Sequence, residues 1–147
     1  MRPVRLTQRV RFEAAHRLVS PQLDDEENRR VYGKCARPGG HGHNYEVDVT
    51  VRGVADDTTG LVCSRADLSA AIERAVISRC DHRDLNAVVD EITTGENLAR
   101  TFFDWIASEL DGSVELYRVR VYETPRNIFD AHAEDDDKVQ EDKPWRN

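Results

Sequence analysis

Apolar and polar residues alternate along several stretches of this chain and recur at helical spacing along two others. Strict alternation marks a strand with one buried face, whereas a stripe at i, i+3, i+4 and i+7 marks a helix packed on a core. Residues 4–16 alternate, placing Val10, Phe12, Ala14 and His16 on one face and Arg9, Arg11 and Glu13 on the other. A second strand opens at His41 and runs to about Arg52. In it, His41, His43, Tyr45, Val47, Val49 and Val51 share a face, with Glu46, Asp48 and Arg52 opposite.

Between these strands, residues 20–40 carry Ser20-Pro21, an acidic block, a basic block, Gly33 and Pro38-Gly39-Gly40, which predicts a long loop with room for a helical turn. Loops of that length are uncommon unless they serve a function. Gly53 to Gly60 reads as a turn-rich connection. Ser64 then starts a helix in a variant of the capping box with Asp67, and Leu68, Ala71, Ile72, Ala75, Val76 and Cys80 form its buried stripe. A second helix is expected to start near Thr93 with Glu96 at its third position. Its inward stripe is Leu98, Ala99, Phe102, Phe103, Ile106 and Leu110, and Asp111-Gly112 ends it. Alternation returns with Val119 and Val121 against Arg118 and Arg120, in a third strand that ends at Glu123. Thr124-Pro125-Arg126-Asn127 turns the chain into a short fourth strand near Ile128 to Ala133. Two helices can cover only one face of such a sheet, so its charged face and free edges predict association with further copies.

Composition adds limits. A chain of 147 residues supports one domain, assigned to residues 1–133, followed by an acidic tail, 134–147, too polar to fold alone. No apolar run reaches membrane-spanning length and no hydrophobic leader is present, so a cytoplasmic protein without a membrane partner is expected. Cys35, Cys63 and Cys80 are odd in number and lack CxxC spacing, which indicates neither a disulfide framework nor a thiolate zinc knuckle. The net charge of −7 argues against nucleic-acid binding. Arg29, Arg30, Lys34 and Arg37 nevertheless form a stretch without an acid, where an anionic small molecule can bind.

Parity puts His16, His41 and His43 on the buried side of their strands. Pairing those strands converges three neutral nitrogens, the ligand set of a catalytic zinc site with one position left for water or substrate. A lone histidine on an apolar face is usually a satisfied core residue; a pair on one strand facing a third on its neighbour argues for metal. Cys35 lies in the Gly-rich loop just before His41, where the charges of Lys34 and Arg37 favour a thiolate fit to act as a general base or a nucleophile. Asp81-His82 falls where the first helix ends. It is either a carboxylate orienting a proton-transferring imidazole or a histidine drawn to the negative end of a helix. Glu123 shares parity with Val119 and Val121, so it points to the histidine side and needs a partner there. Glu96 is accounted for by the helix cap.

Together, Phe12-Glu13-Ala14-Ala15-His16, Tyr32-Gly33-Lys34-Cys35 followed by His41-Gly42-His43-Asn44-Tyr45, Cys80-Asp81-His82-Arg83-Asp84-Leu85-Asn86, Thr93-Thr94-Gly95-Glu96-Asn97 and Val121-Tyr122-Glu123-Thr124 resemble the family of 6-pyruvoyl and 6-carboxytetrahydropterin synthases. The resemblance is ordered and covers about residues 4–130. It implies an α+β tunnelling fold, a four-stranded antiparallel sheet with two helices on one face, assembled as trimers whose sheets close into a β-barrel and stack as hexamers. It also implies Zn2+ on His16, His41 and His43, Cys35 as general base, Asp81 and His82 as the rest of a proton relay, and Glu123 as anchor of the pterin ring. Thr94 and Glu96 would be further ring contacts, and Arg37 in the basic run is expected to meet the triphosphate. The substrate implied is 7,8-dihydroneopterin triphosphate, without a redox cofactor.

Thr94-Gly95-Glu96 departs from the Thr-Thr-Glu or Thr-Ser-Glu more usual in that family. The five residues between Cys35 and His41 resemble the pyruvoyl-forming branch and not the carboxy-forming branch of queuosine synthesis. A non-catalytic zinc-binding homologue would have no need of Cys35, Asp81 and His82. A folate-pathway aldolase-like relative would be expected to carry a glutamate where Cys35 stands.

Overall fold

The computed structural model describes residues 1–133. Its longest pairing joins β1 (Val4–His16) to β2 (His41–Gly53), antiparallel from Val4 opposite Gly53 to His16 opposite His41 without interruption. The valine- and threonine-rich alternation predicted for both stretches produces this ribbon, because branched side chains fit a pleated surface with one face covered. Strands β3 (Arg83–Asp84), β4 (Glu115–Tyr122) and β5 (Ile128–His132) complete a sheet of order β3-β1-β2-β4-β5. The β2–β4 and β4–β5 pairs are antiparallel.

The four-stranded antiparallel sheet of the sequence reading is thus corrected to a mixed, five-stranded sheet among the described residues. The added strand is two residues long and runs parallel to β1 beside Ala14 and Ala15. It forms because the His82 N–H donates to the Glu13 carbonyl at 2.6 Å, laying the chain along the edge of β1 as it leaves the preceding helix. The β2–β4 register shifts at a bulge between Thr50, opposite Arg118, and Val51, opposite Leu116, so Leu116 returns to the core face.

Helix α1 (Asp25–Tyr32) lies in the long connection, where only a turn was expected. Its cap is reciprocal: Glu27 N–H donates to Asp24 Oδ1 at 2.8 Å, and Asp24 N–H donates to Glu27 Oε2 at 3.0 Å. Buried Asn28 then ties the loop to the helix, accepting from Ser20 N–H and donating to the carbonyls of Ser20, Leu23 and Asp24. Helix α2 (Arg65–Ile72) is capped by Ser64 as predicted, and it widens into a π-helical turn at Glu73–Ile77 before ending with Ser78–Cys80. Helix α3 (Gly95–Glu109) is capped by Thr94, one residue later than expected. No helix among the described residues is long and apolar enough to cross a membrane.

Both helices lay their predicted stripes on the sheet. Leu68, Ala71, Ile72, Ala75, Val76 and Cys80 are buried, as are Leu98, Ala99, Phe102 and Ile106, against Phe12, Tyr45, Val47, Val49, Val119 and Val121. Phe12 stacks on Tyr45 at 5.1 Å between ring centres and meets Phe102 edge-on at 5.9 Å. The opposite face is charged, as parity requires, but it is knitted together. Arg9 holds Asp48 through two nitrogens, at 2.7 and 3.0 Å, and reaches Glu46 at 3.4 Å, while Tyr122 donates to Asp48 at 3.1 Å. Asp48 is thereby buried, and its carboxyl is held below the ordinary range chiefly by the Arg9 hydrogen bond. The acidic tail lies outside the described residues.

Removing Asp48 deprives Arg9 and Tyr122, both of them partly exposed, of the acceptor they share. Asp48→Ala is expected to destabilise the fold modestly, by about 1 kcal/mol, read as a lower urea midpoint with an unchanged slope. An unchanged midpoint would show the network to be a solvated surface only.

Candidate active site

The unbroken β1–β2 register sets His16 directly opposite His41, and the two-residue period returns His43 to the same face. The three rings meet edge to face, with centres 4.6 Å apart for His16–His41, 5.1 Å for His16–His43 and 4.8 Å for His41–His43. Their ligating nitrogens all lie within 4.8 Å of one another. The Nδ1–H of His16 donates to the Thr93 carbonyl at 2.9 Å, which fixes the tautomer and leaves Nε2 as a lone pair. Nε2 of His16, His41 and His43 are each buried without a hydrogen-bond partner. Three orphaned acceptors facing one point fit a metal ion with histidine ligands.

Burial pushes His16 down to about 4, only partly offset by the Thr93 carbonyl. His41 is lowered by burial and then by the charge of His43, and His43 by burial. All three are therefore held neutral, the state a metal requires. Gly40 makes the approach possible: its φ is +70°, and a Cβ there would stand 2.7 Å from the His16 carbonyl oxygen. The loop is pinned beside the site because Leu18 N–H donates to the Cys35 carbonyl at 2.8 Å and Arg17 Nε donates to the Ala36 carbonyl at 2.8 Å. Half-buried Cys35 thus sits one clamp away from the strand end that carries His16.

Glu123 follows β4 on the histidine side. Burial raises its carboxyl above the ordinary range, against the pull of His41 and with added repulsion from Glu96. His41, Glu123 and Glu96 are therefore brought together, as the sequence reading wanted for Glu123. The reading of Glu96 as a capping residue is corrected: Thr94 Oγ1 accepts from Asn97 N–H at 3.4 Å, so Asn97 takes the third position and Glu96 is left exposed to the site. The glycine that breaks the usual pattern has a steric cause. Gly95 is buried, and a Cβ there would fall inside the ring of Phe129.

Two expected members stand elsewhere. Asp81 accepts from His82 Nδ1–H at 2.9 Å and from Glu13 N–H at 3.1 Å, which lowers its carboxyl, the Glu13 backbone first and His82 next. His82 Nε2 lies 3.5 Å from Glu13 Oε2, with the backbone of His82 at φ +57°. Glu13 projects from β1 on the charged face, so within one chain this pair does not share the triad's face. Arg37 is exposed in the turn before Gly40, and Arg29, Arg30 and Lys34 are exposed along α1 and the turn after it.

Two groups at the site escaped the sequence reading. The Thr93 carbonyl carries no side-chain signal at all. Tyr45 was legible as a core residue by parity, yet its buried hydroxyl has no hydrogen-bond partner. Burial, then the charges of Glu123, Cys80 and Cys35, push that phenol above its ordinary range.

A family model described as 6-pyruvoyl tetrahydropterin synthase matches residues 5–134. The chain belongs to the 6-pyruvoyl tetrahydropterin synthase family. A 6-pyruvoyl tetrahydrobiopterin synthase of Drosophila melanogaster is 46% identical over 128 residues, covering 84% of this chain and 76% of that protein. The Homo sapiens protein of the same name is 45% identical over 127 residues, covering 84% and 87%. The solved 6-pyruvoyl tetrahydropterin synthase of Caenorhabditis elegans superposes with a TM-score of 0.87 at 37% identity, covering 91% of this chain and 98% of that one. Membership makes this chain an enzyme of the 6-pyruvoyl tetrahydropterin synthase type.

The depressed histidines give a pH signature with a definite sign. Unfolded imidazoles titrate near 6.5 and His16 near 4, so between those values the unfolded chain binds more protons. Without metal, stability should be complete above about 6.5 and be lost as the pH falls toward about 4, read as a falling thermal midpoint in chelator. His16→Asn should flatten that slope, and a slope equal in both proteins would contradict a neutral triad.

Proposed function

We propose that the protein converts 7,8-dihydroneopterin triphosphate to 6-pyruvoyl tetrahydropterin with release of triphosphate, using a zinc ion held by His16, His41 and His43. The observation that carries this reading is the convergence of three neutral, orphaned Nε2 atoms, in a chain whose family is already established. Bound there, zinc would supply Lewis-acid polarisation of the substrate's side-chain hydroxyls. Cys35, clamped beside the end of β1, takes the proton from the adjacent carbon. Asp81 holds the Nδ1–H of His82 and so presents Nε2 as the proton-exchanging atom. Glu123 accepts hydrogen bonds from the N–H edge of the pterin ring, with Thr94 and Glu96 at the start of α3 beside it. Arg37 meets the triphosphate through charge-assisted contacts.

The relay needs more than one chain. Asp81 and His82 are docked on Glu13, facing away from the triad, and only a neighbouring copy can bring a second such pair to this site. This supports trimers whose charged sheet faces close into a barrel, stacked as hexamers, with β5 and β3 as the edges available for pairing. The names of the relatives and the Cys35–His41 spacing favour the pyruvoyl product over the carboxy product.

Mass spectrometry of the products from dihydroneopterin triphosphate tests the reaction, with 6-pyruvoyl tetrahydropterin and triphosphate expected; a carboxy product would reassign the branch. Cys35→Ala should lower turnover by on the order of 10²–10⁴ while zinc content stays that of the wild type. Near wild-type turnover would remove the thiol as base. Light scattering at micromolar concentration should report a trimer or hexamer, and a monomeric mass would remove the shared site.

A further inference from the structure

Tyr45 adjoins both the histidine triad and Glu123. On β2 it follows His43 on the same face, with its ring centre 5.5 Å from that of His43 and 6.2 Å from that of His16. The β2–β4 register pairs Glu46 with Tyr122, which makes Tyr45 the lateral neighbour of Glu123 on the histidine side. On its other flank the ring is stacked on Phe12. Tyr45 is fully buried, and its hydroxyl has neither donor nor acceptor partner.

A phenol oxygen in this position is costly. An unpaired buried hydroxyl destabilises a fold by about 1–3 kcal/mol, and phenylalanine would fill the same space without that penalty. The apolar stacking on Phe12 explains the ring but not the oxygen. The oxygen is explained if its partner arrives with the substrate, which in the function proposed above spans from the triad to Glu123, the cross-strand neighbour of Tyr45.

We propose that Tyr45 is a further catalytic residue, whose hydroxyl donates a hydrogen bond to the substrate between the histidine triad and Glu123, at an atom where negative charge builds during turnover. This rests on the function proposed above. The proton stays on the phenol oxygen throughout, so no bond is made or broken at Tyr45. A donor held rigid by stacking and kept from water is strongest where charge develops, so its effect falls on the rate and not on ground-state binding. The roles proposed for Cys35 and the basic loop, proton removal and phosphate contact, do not duplicate this donor.

Tyr45→Phe isolates the single oxygen. Turnover of dihydroneopterin triphosphate by the assembled, zinc-loaded protein should fall by roughly 10- to 100-fold in kcat. The Michaelis constant should stay within about threefold. Zinc content should be unchanged, and the urea midpoint should be equal to or higher than the wild type's, because an unsatisfied group has been removed. A purely structural hydroxyl, bridged by an internal water, would give the reverse: a lowered midpoint with kcat within about twofold of wild type. That result overturns the proposal, as does a loss of kcat accompanied by loss of zinc. If the wild-type protein forms no product from this substrate, the function reading has failed and the role of Tyr45 falls with it. If the wild type turns over and Tyr45→Phe equals it, the role of Tyr45 alone is overturned.

Discussion

Everything at the site depends on one uninterrupted antiparallel register, in which Val4 faces Gly53 and His16 faces His41. Because the side-chain period of a strand is two, a slip of a single residue would carry the imidazoles to the charged face and the charges to the core. The register is therefore fixed from both sides at once. Valines, Phe12 and Tyr45 are held under the helices, and Arg9 is held to Asp48 on the far face. Apart from the hydrogen bond of His16 to the Thr93 carbonyl, the histidine cluster is held together by interactions made elsewhere along the ribbon.

A second layer of control comes through backbone groups. The carbonyl of Thr93, at the approach to α3, sets which nitrogen of His16 carries its proton. The carbonyl of Cys35 is fixed by Leu18, and Glu13 receives Asp81 and His82 through its own N–H and carbonyl. Helix start, loop and helix end are thus each tied to β1 or to the residues just after it through a main-chain group, although the His16 ring and the Asp81 carboxylate supply the partner in two of these contacts.

Much of this was legible in the sequence, and the misses share a cause. Period-two alternation located β1, β2, β4 and β5 and the shared face of the three histidines, and period-3.6 stripes located α2 and α3, because burial against one layer imposes those periods. The α1 cap was written in Asp24 and Glu27, but a helix with one turn of charge at each end offers no apolar stripe to read. Strand β3 is two residues long and owes its existence to tertiary docking on Glu13. The Thr93–Thr94 ambiguity displaced the cap by one residue and so misjudged Glu96, since both threonines can cap and only the fold selects one. Burial of Asp48 ran against parity, because a carboxylate on the open face was expected to be solvated and is instead enclosed by Arg9 and Tyr122.

The long excursion between β1 and β2 begins and ends at a single cross-strand pair, His16 and His41. Its two ends are therefore neighbours whatever lies between them, and the closure cost of such a loop grows only slowly with its length. Insertions, deletions and new charges can accumulate in residues 17–40 while the imidazoles stay where the ribbon puts them. Cys35 and the basic residues belong to this excursion. The architecture thus separates a fixed histidine cluster from an exchangeable cassette that carries Cys35 and the basic residues, so that the cassette can be rewritten without rebuilding the cluster.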